Sequence, residues 1–258
     1  MEIRPPAAAG TRYPADHQEL RTTLRDLLDE ADPQGPAPKA LILPHASYAD
    51  AGDVLAAAYA RLAQDRHVIR RIVLLGPSHF VRVSGVATSS AEAFETPLGE
   101  VEIDRSAVDR LSALPNVETQ DLAHAFEHSL EVQLPFLQET LEDIVIVPLA
   151  VGEIAPEVAG WLLTSLWGGE ETRIIVSSDL SHAPDVDVAT ALDETAARAI
   201  ESLGRPGLME GMACGREAIN GLLWLARTRR MHAERIALGH ANQAAGTVGY
   251  GVFAFTDA

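Results

Sequence analysis

The chain has few of the residues that build disulfide frameworks or nucleic-acid-binding surfaces. Cys214 is its only cysteine, so an intramolecular disulfide framework is excluded. Lys39 is its only lysine, and the formal net charge is −17 at pH 7. Because that charge would repel both a nucleic-acid backbone and an anionic membrane surface, neither is expected as the main partner.

Long apolar runs and nucleotide-binding loops are also missing. No stretch approaches the roughly 20 uncharged apolar residues that a membrane-spanning helix needs, and the first residues lack the basic-then-apolar layout of a signal peptide. Neither the G-x-x-x-x-G-K-[ST] nor the G-x-G-x-x-G pattern occurs between a strand and a helix. We therefore predict a cytoplasmic protein without a nucleotide cofactor.

Short apolar runs alternate with segments of helical periodicity along the chain. The longer strands are predicted at 39–43, 72–75, 144–151, 172–176 and 247–255, with short extended pieces at 86–87, 92–96 and 100–104. The helices are predicted near 16–30, 51–63, 121–141, 156–166, 188–203 and 216–227, and the one over 121–141 is expected to be interrupted or bent at Pro135. This alternation is typical of an α/β fold. We predict a single three-layer domain over residues 1–258, with a mostly parallel central sheet flanked by helices.

Histidines or histidine–aspartate pairs follow the predicted strands. In parallel sheets, ligands bind in the crevice outside the carboxyl ends of the strands, so these residues are expected to converge. His45 and His79 follow two strands that we expect to be adjacent, and their imidazoles are suitable ligands for one metal ion. Taken singly, each histidine is better explained as a helix cap or a loop hydrogen-bonding group.

Asp179 and His182 form a second candidate pair after the strand that ends at 176. Their spacing allows the carboxylate to accept a hydrogen bond from the ring, which would fix the tautomer of a base or ligand. The alternative is an aspartate that caps the next turn.

His124 and His128 are four apart on a predicted helix and would share a face, although the general-base glutamate of zinc hydrolases does not follow the first of them.

Cys214 precedes a predicted helix start, which can lower a thiol pKa. A buried structural cysteine is the more common case, and we expect it here.

A series of motifs spans nearly the whole chain. The motifs are Arg4-Pro5 through Gly10, Tyr13-Pro14, Pro44-His45-Ala46, Gly76-Pro77-Ser78-His79, Thr96-Pro97-Leu98-Gly99, Glu127-His128-Ser129-Leu130-Glu131, Pro135-Phe136-Leu137, Ser177-Ser178-Asp179-Leu180-Ser181-His182, Cys214-Gly215 and Val248-Gly249-Tyr250. In this order they resemble the MEMO family, whose bacterial and archaeal members are also called AmmeMemoRadiSam system protein B. No single motif is specific, but the ordered set is.

The resemblance implies a fold similar to that of class III extradiol dioxygenases, which use a non-haem iron at strand ends. By this likeness His45 and His79 are metal ligands, Asp179 and His182 are the acid–base pair, and His128 lines the pocket. The family is associated with iron or copper binding, with redox roles and, in animal members, with phosphopeptide binding. Its prokaryotic name implies association with a radical SAM protein and an AMMECR1-type protein.

Two positions depart from the family pattern. Ser47 stands where the family has glycine after Pro-His-Ala, and the segment before the closing strand offers no cysteine or carboxylate as a third metal-side residue. We predict that His240, in the expected loop there, replaces it. The alternative is a surface His240 and a metal shell completed by water.

The leading functional hypothesis is a mononuclear site for iron or copper, with zinc as a further possibility. It would carry out oxygenase or redox chemistry on a small phenolic or enolic substrate, with His182 as the proton-transfer group. The competing hypotheses are a non-catalytic binding or scaffold protein that uses the same pocket for a peptide or an anionic ligand, and a metal-dependent hydrolase.

Overall fold

A computed structural model describes residues 2–243 and 246–257. The strands are β1 (Ile3–Arg4), β2 (Ala40–Leu43), β3 (Arg71–Pro77), β4 (Val86–Thr88), β5 (Ala93–Thr96), β6 (Gly99–Ile103), β7 (Val117–Thr119), β8 (Val145–Val151), β9 (Thr172–Ser177), β10 (His182–Ala183), β11 (His232–Gln243) and β12 (Gly246–Thr256). The helices are α1 (His17–Glu30), α2 (Tyr48–Leu62), α3 (Arg105–Ser112), α4 (Leu122–Ala125), α5 (Leu134–Thr140), α6 (Pro156–Ser165), α7 (Val186–Glu201) and α8 (Arg216–Arg229).

The strands form one mixed sheet in the order β1-β5-β6-β8-β3-β9-β2-β12-β10, with β11 paired to β12 and β4 to β8 and β7. The central strands β6, β8, β3, β9 and β2 are parallel to their neighbours within this group. Antiparallel pairs lie towards the edges, including β5 with β6 and β2 with β12. The predicted α/β fold with a mostly parallel central sheet is confirmed.

The three central strands β2, β3 and β9 are almost completely buried. Every residue of β2 and β9 is buried, as are all residues of β3 after Arg71, which is the pattern of parallel strands covered on both faces. However, β9 lies between β2 and β3. The expectation that the strands before His45 and His79 are adjacent is therefore wrong, and the loop that carries Asp179 lies between the two histidine loops.

Helices flank the sheet in separate groups. Helix α8 packs against α6, β3 and β9, whereas α2 packs against α1, α5 and β12. The expected cap at Asp16 is confirmed, since its carboxylate accepts hydrogen bonds from the backbone N–H groups of Gln18 and Glu19. None of the helices in the described ranges combines the length and apolarity required to cross a membrane.

Two predicted elements differ from the structure. The helix predicted over 121–141, with an interruption or bend at Pro135, is instead the short α4, an irregular segment, a 3₁₀ turn at Glu131–Gln133, and α5. The interruption comes earlier than expected, and Pro135 lies in the first turn of α5. The reason is that Pro135 cannot donate to the preceding turn, while Glu127 hydrogen-bonds outside any helix. His240 lies in strand β11 and not in a loop, because residues 232–243 pair with β12 along their whole length.

A buried carboxylate anchors the N-terminal segment to the middle of the chain. Glu131 is fully buried and accepts hydrogen bonds from the Tyr13 hydroxyl and the Arg4 guanidinium. It also accepts the backbone N–H groups of Ala7 and Ala8, each at 2.7 Å. The charge is therefore compensated on all sides, which is what a buried ion needs.

We predict that Glu131→Gln destabilises the protein by about 3–5 kcal/mol, because the amide leaves the buried Arg4 charge uncompensated. Tyr13→Phe, which removes one donor, should cost about 1–3 kcal/mol. Urea unfolding measures both. Glu139→Gln is the matched control, since Glu139 pairs with arginines whose side chains are largely exposed and should cost less than about 1 kcal/mol. Equal effects at the two glutamates would contradict the anchoring role.

Candidate metal centre

Three histidine side chains meet beyond the ends of β2 and β3. His45 follows β2, His79 follows β3, and His128 lies in the irregular segment between α4 and α5. One ring nitrogen from each lies within 4.8 Å of those of the other two. The ring centroids are 5.1 Å apart for His45 and His79, 5.3 Å for His45 and His128, and 4.9 Å for His79 and His128. The cluster could hold a metal ion.

Hydrogen bonds fix the tautomer of His45. The Ser177 hydroxyl donates to the carbonyl of Ser129 at 2.6 Å and accepts from the Gln133 amide at 2.9 Å. Because a hydroxyl has one proton, Ser177 can only accept from the Nδ1 of His45, which lies 3.3 Å away. His45 is therefore protonated at Nδ1, and the lone pair of its Nε2 is available to a metal.

A buried carboxylate fixes the orientation of His79. Glu127 accepts the His79 Nδ1–H at 2.8 Å and the His79 backbone N–H at 2.6 Å. It also accepts the backbone N–H of Ser129 at 2.9 Å, and its Oε1 lies 3.5 Å from the Nδ1 of His128. Although burial alone would raise the pKa of Glu127, the hydrogen bonds and the charge interaction with His79 lower it to about 2. Glu127 is thus an ionised acceptor that leaves the Nε2 of His79 free.

Burial keeps two of the three imidazoles neutral. Desolvation is the largest cause that lowers the pKa of His45, and it also lowers that of His128 to about 3, where the neighbouring His45 adds to the effect. His45 is only 2% exposed. Neutral imidazole is the form that binds metals, so both rings are in the ligating state at neutral pH.

The other predicted site residues lie in different surroundings. Asp179 accepts the backbone N–H of His45 at 2.9 Å, and its second oxygen is 3.7 Å from the His45 Nε2. His182 is exposed in β10, and no hydrogen bond joins it to Asp179 in the described part of the chain. The expected Asp179–His182 hydrogen bond is therefore not formed. His240 lies 3.2 Å from Asp193 and is not part of the three-histidine cluster.

Sequence reasoning missed several neighbours of the cluster. The Cys214 sulfur lies 3.4 Å from the Nε2 of His45, although burial raises the pKa of this thiol to about 12. The Arg12 guanidinium lies 3.5 Å from the Nε2 of His128. His124, which was expected to share a face with His128, is buried elsewhere with its Nε2 3.1 Å from the carbonyl of Ala87. Glu127 and Cys214 both lie in the motif series found in the sequence, whereas Arg12 lies in none of those motifs.

The fold and the site together define an α/β protein with a histidine cluster, able to hold a metal ion, beyond the carboxyl ends of its parallel strands. A family model described as Memo-like protein matches residues 4–250. The chain belongs to this family, which confirms the resemblance given by its motifs.

Individual relatives agree with this assignment. A MEMO1 family protein of Aquifex aeolicus is 38% identical over 79% of this chain and 76% of its own length. Another, from Metallosphaera sedula, is 30% identical over 98% of this chain and 99% of its own. The crystal structure of an uncharacterized protein from Escherichia coli K12 is similar with a TM-score of 0.52 and 16% identity, over 83% of this chain and 98% of that one. It supports the fold alone.

The neutral state of His128 predicts acid sensitivity. Its pKa is about 3 when folded and about 6.5 when unfolded, so between these values the unfolded chain binds the extra proton. The free energy of unfolding should then fall with pH below 6.5, by about 1.4 kcal/mol per pH unit from this group. Urea titrations with a chelator present, between pH 7 and 5, should show a smaller fall for His128→Gln.

The exposed His232 provides the control, and His232→Gln should leave the fall unchanged. If His128→Gln and the wild type lose stability in parallel on acidification, His128 is not held neutral in the folded protein.

Proposed function

We propose that His45, His79 and His128 bind one divalent metal ion, and that the site carries out oxygenase or redox chemistry on a small phenolic or enolic substrate. The observation that supports this most strongly is the convergence of three imidazole nitrogens within 4.8 Å. Imidazole suits iron, copper and zinc alike, and iron or copper is the proposed occupant for redox chemistry.

The surroundings of the cluster fit a metal. The hydrogen bonds to Ser177 and Glu127 direct the Nδ1 protons of His45 and His79 away from the cluster, which is how proteins commonly orient metal-ligating histidines. A bound ion would supply Lewis acidity and a template that orients the substrate oxygen. The residues around it provide position and proton transfer.

Asp179 and His182 are proposed as the groups that act on the substrate side. Asp179 holds the backbone at His45 in place, and its second oxygen lies 3.7 Å from the ring Nε2. His182 is exposed in β10, so solvent can deliver and remove its proton. We propose His182 as the proton-transfer group that removes a phenolic or enolic proton.

Alanine substitutions test the ligand assignment. His45→Ala, His79→Ala and His128→Ala should each lose stoichiometric metal, because two imidazoles form an incomplete protein ligand set. Elemental analysis and a zinc titration of untagged protein measure this. His124→Ala is the matched control, since His124 is as buried as His45 but hydrogen-bonds to Ala87, and it should retain the metal. Unchanged metal content in the three cluster variants would contradict the site.

The chemistry requires a separate test. Anaerobic reconstitution with ferrous iron, followed by oxygen uptake with a panel of catechols, should show turnover in the wild type. His182→Ala should retain metal and lose turnover by about 10²–10⁴-fold. Loss of metal in this variant would make His182 a ligand. An iron-loaded wild type that consumes no oxygen with any catechol would refute the oxygenase proposal and favour a binding or scaffold role.

A further inference from the structure

Arg12 is a cation at the edge of the cluster, and no carboxylate of the described residues 2–243 and 246–257 forms an ion pair with it. Its guanidinium lies 3.5 Å from the Nε2 of His128. Arg12 takes part in none of the ion pairs formed by the described residues. Acidic residues nevertheless outnumber lysines and arginines in the chain by 37 to 20. Two other half-buried arginines outside these ion pairs, Arg70 and Arg227, donate to backbone carbonyls instead. Among the described residues the Arg12 side chain has only its contact with His128, so its charge is available to a ligand.

The backbone holds Arg12 firmly in this position. Its N–H donates to the carbonyl of Ala8 at 2.9 Å, and its carbonyl accepts the N–H of Tyr48 at 2.9 Å. The next residue, Tyr13, is tied to the buried Glu131. Tyr48 begins α2, three residues after His45. The same contacts that fix the N-terminal segment therefore place the guanidinium beside the cluster.

The contact between Arg12 and His128 leaves donors unused. A guanidinium has five N–H donors and no acceptor, and the side chain makes a single contact, at the long distance of 3.5 Å, within the described residues. A metal ligated through the Nε2 of His128 would occupy that lone pair and release even this donor. The guanidinium would then need another acceptor, and an anionic ligand group provides one.

Phe80 places an apolar ring beside two of the three histidines. It directly follows His79 and is 64% exposed. Its ring centroid lies 6.4 Å from that of His79 and 6.2 Å from that of His128, both in edge-type geometry. A ring in this position offers a flat apolar face against which an aromatic ligand can pack. Both Arg12 and Phe80 thus flank His128.

We propose that the histidine cluster binds planar ring compounds that carry a carboxylate at its His128 side, with Arg12 pairing the carboxylate and Phe80 packing against the ring. The proposal rests on the proposed function, because it narrows the substrate class of the same site. Arginine binds carboxylates in a bidentate manner that an uncharged amide cannot reproduce. The net charge of −17 would otherwise disfavour anions, so the local cation determines the selectivity.

Benzoate and its uncharged counterpart benzamide test this pairing. Their affinities are measured by ligand-observed NMR titration on metal-free and on zinc-loaded full-length protein, with zinc content determined in parallel. The wild type should bind benzoate about tenfold more tightly than benzamide, which corresponds to about 1.4 kcal/mol. Arg12→Gln should abolish this preference, and Arg12→Lys should restore part of it. Phe80→Ala should weaken both probes to the same extent.

Matched controls exclude general effects of charge and of surface apolarity. Arg25→Gln is the control for Arg12→Gln, because it removes one positive charge from a surface ion pair of α1 with Glu139. Trp161→Ala is the control for Phe80→Ala, because it removes an aromatic ring on α6 that is also 64% exposed. Neither should change the affinities. A wild type without preference, or an Arg12→Gln protein that keeps it, would overturn the proposal.

The metal-free measurement separates this proposal from the metal site. If the wild type does not bind zinc, the proposed function is refuted. The role of Arg12 is still supported in that case if the metal-free wild type prefers benzoate and Arg12→Gln loses this preference. If Arg12→Gln loses zinc and leaves the benzoate preference of the metal-free protein intact, Arg12 orients His128 and does not bind ligand, which refutes the proposal.

Discussion

The Glu127 carboxylate is the interaction on which the site depends. It accepts both the backbone and the ring N–H of His79 and the backbone N–H of Ser129, so it joins the loop after β3 to the segment that carries His128. Without this carboxylate, the buried backbone N–H of Ser129 and the ring N–H of His79 would both lose their acceptor. Gly76 permits this close approach, because a Cβ there would lie 2.8 Å from the Ser129 hydroxyl oxygen.

Much of the fold and two of the three histidines of the cluster could be predicted from the sequence. Buried parallel strands read as short apolar runs, and the rule that ligand sites lie at their carboxyl ends brought His45 and His79 together. His128 could not be assigned this way. Its place in the cluster depends on contacts of Glu127 and Ser177 with residues far away in the chain, whereas the local pattern at 121–141 favoured a helix interrupted only at Pro135.

The prediction for His240 shows a related limit. The glycine-rich closing segment gave no sign that residues 232–243 form its antiparallel partner, because these residues lack a clear apolar alternation. In this strand His240 lies beside Asp193, which is 1% exposed and also accepts the backbone N–H of Ser181. Gly249 is required there, since a Cβ would come within 1.7 Å of the Asp193 carboxylate. Packing between α7 and the hairpin therefore determines where His240 lies.

The charge of the cluster has consequences for what it would bind. Three neutral imidazoles would leave the full charge of a divalent ion uncompensated, unlike a ligand set that contains a carboxylate. Three nearby groups could reduce that charge: the ionised Glu127, 2.8 Å from the His79 Nδ1, Asp179, 3.7 Å from the His45 Nε2, and the Cys214 sulfur, 3.4 Å from that same nitrogen. Asp179 is partly engaged by the His45 backbone, and burial keeps the thiol protonated. Arg12, beside His128, would add a further positive charge to a metal-loaded centre. A negatively charged substrate would offset the positive charge that remains. A metal-loaded centre would therefore favour anionic ligands over neutral ones.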